Sequence, residues 1–115
     1  MRSRAGKVNI HRLDLDVAIY RDRVQVTHRG TETFVDQRAE YPFSTEQSVV
    51  GHARFLEDTI VRAIRQIVRE GGFSLRNPIA HVIRCDGGFN EEEKAIVENA
   101  LHETGMKEVI FELDD

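Results

Sequence analysis

Apolar and polar positions alternate along the first part of the chain. Between Lys7 and Tyr20, Leu13, Leu15, Val17 and Ile19 interleave with Asp14, Asp16 and Ala18, the period of two expected of a strand with unequal faces. Val8 and Ile10 sit on the opposite parity, so a bulge near His11-Arg12 or a separate short segment is expected there. Arg21-Asp22-Arg23 can turn the chain, and Val24, Val26 and His28 continue the alternation. Arg29-Gly30 is a second turn signal, followed by a third strand over Thr33 to Arg38. After Pro42 the period changes. Phe55, Leu56, Ile60, Ala63, Ile64, Ile67 and Val68 recur at steps of three and four, with Arg54, Asp58, Arg62, Arg65 and Arg69 on the other side. Gly71-Gly72 closes this helix, and Ser44 or Ser48 is a candidate start.

Asn77-Pro78 opens the next transition. Ile79 to Cys85 is a short apolar run bounded by Pro78 and Gly87-Gly88, which predicts a strand buried on both faces, as in a parallel sheet. Asn90 with Glu93 three residues later forms a capping-box pattern, and Glu91 to Glu93 lie where a helix dipole favours negative charge. Ala95, Ile96, Val97, Ala100 and Leu101 supply the packing side, Gly105 stops the helix, and Lys107 to Leu113 reads as a last strand. The order βββαβαβ, a meander followed by two helix-to-strand crossovers, predicts a mixed α/β sheet of the ribonuclease H-like class, the unit that also forms the core of an actin lobe. Residues 1–6 read as a disordered basic tail, and residues 7–115 as one domain of that class.

Length and charge narrow the functions open to it. A chain of 115 residues has room for one domain, so a two-lobed enzyme that closes over its substrate is not expected within one copy. Acidic residues outnumber basic ones 20 to 16, which gives no general reason to bind polyanions such as nucleic acid. The single Cys85 leaves no disulfide framework or cysteine-based zinc site and fits a reducing compartment. No apolar run approaches the ~20 residues that cross a bilayer, and no signal-peptide stretch follows the basic N-terminus. A cytoplasmic location is expected.

The second half resembles a family. Asp86-Gly87-Gly88-Phe89-Asn90-Glu91-Glu92-Glu93-Lys94-Ala95-Ile96-Val97 is similar to the strand-to-helix turn of bacterial actin-like rod-shape-determining proteins of the MreB type. That turn has a Pro-Ser-Gly-like sequence followed by a Thr-Glu-x-Glu-(Arg/Lys) helix start. Gly105-Met106-Lys107-Glu108-Val109 resembles the family's Gly-Ala-(Arg/Lys)-Glu-Val. Gly88, Glu91, Glu93, Lys94, Val97, Gly105, Lys107, Glu108 and Val109 carry the likeness, which is strongest over residues 79–113. Nearer the N-terminus, Leu13-Asp14-Leu15-Asp16-Val17 resembles the first phosphate strand of the family, of the form Ile-Asp-Leu-Gly-Thr. Here Asp16 replaces the glycine and Val17 the threonine. A carboxylate beside triphosphate oxygens repels them unless a metal intervenes. The resemblance therefore implies a reduced first lobe, with Asp14 and Asp16 as the remnant of a degenerate phosphate strand. It implies no bound cofactor or metal, and no ATPase activity.

Two functional readings compete at this point. One is a non-catalytic actin-like domain in cell morphology that works by protein–protein association, with a protein partner or a second copy in a homodimer. An edge strand or the first helix is then the natural contact surface. The other is a metal-dependent ribonuclease H-like nuclease in which Asp14, Asp16 and Asp86 hold two divalent ions, with Glu46 or Glu57 as the helix ligand. Among other candidates, His81 reads as a hydrogen-bonded structural histidine rather than a ligand, and Cys85 as a small buried hydrophobe rather than a nucleophile. Gly87-Gly88 reads as a tight turn rather than an anion cradle, because the three glutamates after it already occupy the helix N-terminus. The helix arginines, mixed with Glu57, Asp58 and Glu70, read as an ordinary solvated face.

Overall fold

A computed structural model describes residues 13–113. The expected bulge at His11-Arg12 and the basic tail lie outside these residues. The first strand, β1, runs Leu13–Tyr20, followed by β2 (Arg23–His28), β3 (Phe34–Arg38), α1 (Ala53–Gly71), β4 (Pro78–Cys85), α2 (Glu91–Glu103) and β5 (Glu108–Phe111). The strands form one mixed sheet in the order β3-β2-β1-β4-β5. β1, β2 and β3 pair antiparallel, while β4 joins β1 and β5 joins β4 in parallel. The crossovers through α1 and α2 both move toward β5. With the usual right hand, both helices then fall on one face of the sheet and touch each other.

That covered face is the core. Leu15, Val17 and Ile19 of β1 are fully or almost fully buried, together with Val24, Val26, Val35, Ala80 and Val82 from the other strands. They meet Leu56, Ile60, Ala63, Ile64 and Ile67 of α1 and Val97, Ala100 and Leu101 of α2. Each such aliphatic side chain contributes roughly 1.5–3 kcal/mol when removed from water. This burial makes the period-two register of β1 obligatory, since a one-residue slip would turn Asp14 and Asp16 into the core.

Two details differ from expectation, each for a physical reason. β4 is buried from Pro78 to Val82 and again at Cys85, while Ile83 and Arg84 between them are exposed. β5 pairs with Ile79 to Val82 and goes no further, and the β1–β4 register shifts between Val17 and Ala18, so that Val17 faces Val82 but Ala18 faces Arg84. Ile83 is thus the extra residue of a bulge on an uncovered strand end. The first helix does not start at Ser44 or Ser48. It begins at Ala53, with His52 at the N-cap and no side-chain cap bond. Both serines are engaged elsewhere. Ser44 Oγ accepts from the Asp22 amide (3.1 Å) and donates to the Val49 carbonyl (2.6 Å), and Ser48 Oγ donates to Glu93 (2.6 Å). The irregular segment between β3 and α1 is pinned by Phe43 and Val50, both fully buried.

The second helix starts as its sequence implies. Asn90 Oδ1 accepts from the Glu93 amide (2.7 Å) and Glu93 Oε1 accepts from the Asn90 amide (2.9 Å), so two otherwise orphaned donors are satisfied reciprocally. Because Glu93 also accepts from Ser48, the same carboxylate ties the β3–α1 segment to this helix end.

Candidate functional site

The face of the sheet opposite the helices carries the charged cluster. On β1 the residues between the core positions are Asp14 and Asp16, which therefore point away from the helices. The ladder continues past the end of β2, where the Arg29 amide donates to the Asp14 carbonyl (3.1 Å), so the β2–β3 turn delivers the Arg29 side chain onto this face. On the other side of β1, His81 of β4 is level with Asp16 and pairs in turn with Ile110 of β5. Glu112, two residues on, shares that parity and is held in place by its amide donating to the Val82 carbonyl (2.9 Å).

These five side chains form a continuous chain of charge. Arg29 Nε donates to Asp16 Oδ1 (2.6 Å) and Arg29 Nη2 to Glu112 Oε1 (2.6 Å). His81 Nδ1 lies 2.7 Å from Glu112 Oε2, and its Nε2 lies 2.8 Å from Asp14 Oδ1. Both ring nitrogens thus face carboxylate oxygens, and the ring donates on both sides when it carries its second proton. His81 is only 4% exposed, so the carboxylates replace the water it has lost. Hydrogen bonds from Arg29 and then His81 hold the Glu112 carboxyl below its ordinary range, and the bond to Asp16 raises the Arg29 guanidinium. His81 is the hydrogen-bonded structural residue its place in an apolar strand implies.

The nuclease reading required Asp14, Asp16 and Asp86 at one place, and the structure separates them. Asp14 and Asp16 share a face and a network. Asp86 follows β4, where its amide donates to the Ile19 carbonyl (3.0 Å) and its carboxylate accepts from Arg84 (3.2 Å). Cys85 is level with Ile19, so Asp86 is level with Tyr20, four strand positions from Asp16 and six from Asp14 (20 − 16 and 20 − 14). At a rise of 3.2–3.4 Å per residue, those are about 13 and 20 Å, too far for a pair of ions about 4 Å apart. The proposed helix ligands do not close the gap. Glu46 lies in the irregular segment before α1, and Glu57 is on α1, across the sheet from Asp14 and Asp16. Among the described residues no three His, Cys, Asp or Glu side chains converge as a metal-holding group.

A hollow of about 400 Å³ lies at the carboxyl ends of β4 and β5, lined by Ile83, Cys85, Gly88, Phe89, Lys94 and Phe111 among others. Phe89 stands edge-on to Phe111 (5.9 Å between centroids), and Lys94 lies over the Phe111 ring. Burial, with Glu93 and Asp86 nearby, pushes the Cys85 thiol up to about 12, so it stays protonated and is a poor nucleophile. Gly87 and Gly88 both have positive φ (79° and 77°), and the Gly88 amide donates to the Cys85 carbonyl (3.0 Å). That amide belongs to a tight turn. Neither Arg29 nor Glu112 is singled out by sequence reasoning, because Arg29 reads as a turn residue and Glu112 as part of a terminal strand. The only available signal is their parity with His81, which has meaning once the strand pairing is known.

Comparison with solved structures identifies the architecture. The chain superposes on MreB5 of Spiroplasma citri bound to ADP with a TM-score of 0.65 and 14% identity, covering 90% of this chain and 39% of that one. It also superposes on MreB5 of Spiroplasma citri bound to AMPPNP with a TM-score of 0.62 and 14% identity, covering 89% and 38%. At this identity the likeness establishes an actin-like, single-lobe fold. The chain spans about 39% of the length of the MreB5 chain. No protein-family model and no curated protein sequence matches it. Among the described residues no helix is long and apolar enough to cross a membrane.

Proposed function

We propose that this chain is a non-catalytic actin-like domain that acts by protein–protein association, with a partner protein or a second copy, in the machinery of cell morphology. The observation that carries the reading is the state of the first strand. Asp16 stands where the resemblance expects a phosphate-approaching glycine, and its carboxylate is tied by Arg29 into a chain of ion pairs that includes Glu112. A phosphate group brought there would meet that carboxylate, and removing it would mean breaking a hydrogen-bonded network. The cell-shape setting rests on the rod-shape-determining resemblance, supported by the likeness in fold to MreB5. A cytoplasmic location goes with the same reading.

The direct test is calorimetric titration of the isolated chain with Mg-ATP, alongside sedimentation velocity over a range of protein concentrations. The expected result is no heat of binding and no phosphate release, with association seen for the chain alone or with a partner. Micromolar nucleotide binding, or turnover, would sink the proposal.

A further inference from the structure

Among the described residues no strand pairs with the outer edge of β3, and three arginines beside that edge, Arg38, Arg65 and Arg69, make no ion pair. In the β2–β3 ladder, the His28 amide donates to the Thr33 carbonyl (2.8 Å) and the Ala39 amide to the Asp22 carbonyl (2.9 Å). Val35 and Gln37 share that parity and so direct their peptide groups toward β2, while Phe34, Asp36 and Arg38 direct theirs outward. Of these outward groups, only the Arg38 carbonyl has a partner among the described residues, the Gln37 side-chain amide (3.0 Å). Alongside, between Gln37 and α1, runs a groove of about 460 Å³ lined by Arg62, Arg65 and Arg69. The acids nearby offset part of this charge: Asp58 and Glu40 both hold Arg62, and Glu70 accepts from the neutral Gln66 amide, so Arg38, Arg62, Arg65 and Arg69 outnumber Glu40, Asp58 and Glu70 by one. Arg65 and Arg69 have no carboxylate partner among the described residues, and neither does Arg38 at the end of β3.

We infer that β3 and the arginine-lined groove form a docking site for an extended acidic peptide, which adds to the sheet as a sixth strand. The inference rests on the association reading above and names the kind of partner. Backbone pairing to Phe34, Asp36 and Arg38 supplies the register. Alternate side chains of the added strand fall on the helix side, within reach of Arg65 and Arg69, and on the open side, beside Arg38. Charge also argues against a second copy in this place. Antiparallel self-pairing centred on β3 sets Asp36 opposite Asp36, and it brings the Arg65 and Arg69 groups of the two copies toward each other.

The test uses a fluorescein-labelled peptide of alternating valine and glutamate, with an alternating valine–lysine peptide as control. Binding is read by anisotropy and by amide hydrogen exchange of the labelled protein. The glutamate peptide is expected to bind, to weaken at 0.5 M salt, and to protect the Phe34, Asp36 and Arg38 amides newly. Arg65→Glu with Arg69→Glu is expected to lower affinity about tenfold, consistent with two exposed charge pairs. Asp36→Pro removes the central outward donor at an edge position that tolerates proline and is expected to abolish binding, whereas Asp36→Asn keeps it. Equal binding of the lysine peptide, protection elsewhere, or unchanged affinity in the arginine variant overturns the inference. So does equally tight competition by a single-stranded oligonucleotide. Failure of the peptide to bind while sedimentation still shows association removes this inference alone. Nucleotide binding in the calorimeter removes the association reading instead.

Discussion

Replacing His81 with leucine tests the charged network most sharply, because the side chain is buried and both its nitrogens are engaged. Leucine fills a similar volume on the same strand, so packing changes little while both ring nitrogens vanish. Hydrogen bonds to charged groups contribute about 1.5–3 kcal/mol each when shielded from water. Here the acceptors are 26% and 39% exposed, so water takes over part of the lost interaction. About 1 kcal/mol per bond is then appropriate, for a total of about 2 kcal/mol when the ring carries both protons. In a chain of this size that corresponds to a fall in Tm of about 8 °C. Urea unfolding followed by circular dichroism measures the difference. Its pH dependence supplies the second arm. Glu112 has its carboxyl lowered in the folded chain, so between the two values the unfolded state binds more protons. The stability tied to it is complete above the unfolded value, about 4.3, and is lost as pH falls through the folded one. His81 is one of the two causes of that depression, so the gap between wild type and His81→Leu narrows as pH falls below about 4.3. A difference below about 0.5 kcal/mol at pH 5, or a gap that widens as pH falls below about 4.3, refutes the network's role.

Three further outcomes are expected. Phe43→Ala empties a fully buried site in the segment joining β3 to α1 and destabilises the chain by about 3–5 kcal/mol in urea unfolding; a loss below about 1 kcal/mol would mean that segment is not part of the core. Asn90→Ala removes one half of the capping box and costs about 1 kcal/mol, with serine at the same position restoring most of it. Cys85, buried and protonated, reacts with a thiol reagent at pH 8 only as fast as the chain opens, so labelling accelerates with added urea; reaction of the native chain at the rate of a free thiol contradicts the structure.

Much of the architecture is legible in the amino-acid order because its causes are local. The alternation of Leu13, Leu15, Val17 and Ile19 specifies which face of β1 is buried, and the three- and four-residue steps from Leu56 to Ile67 do the same for α1. Asn90 and Glu93 lie within one helical turn, so their reciprocal bonds follow from spacing alone. The right-handed crossover rule then puts both helices on one face of the sheet, where they touch. Where Ser44 and Ser48 mislead as helix starts, their hydroxyls are claimed by Asp22, Val49 and Glu93, partners no local rule can foresee. The site was less legible still. Asp14 and Asp16 were identifiable as a same-face pair, but their roles depend on Arg29, His81 and Glu112, brought in from a turn and two other strands. Sequence alone set the buried faces of β1 and α1 and the start of α2, through side-chain period and capping chemistry acting over a few residues. Tertiary structure decided the register between strands, which joins His81 to Glu112 and puts Asp86 about 13 Å from Asp16, because pairing across 30 or more residues is selected by core burial as a whole.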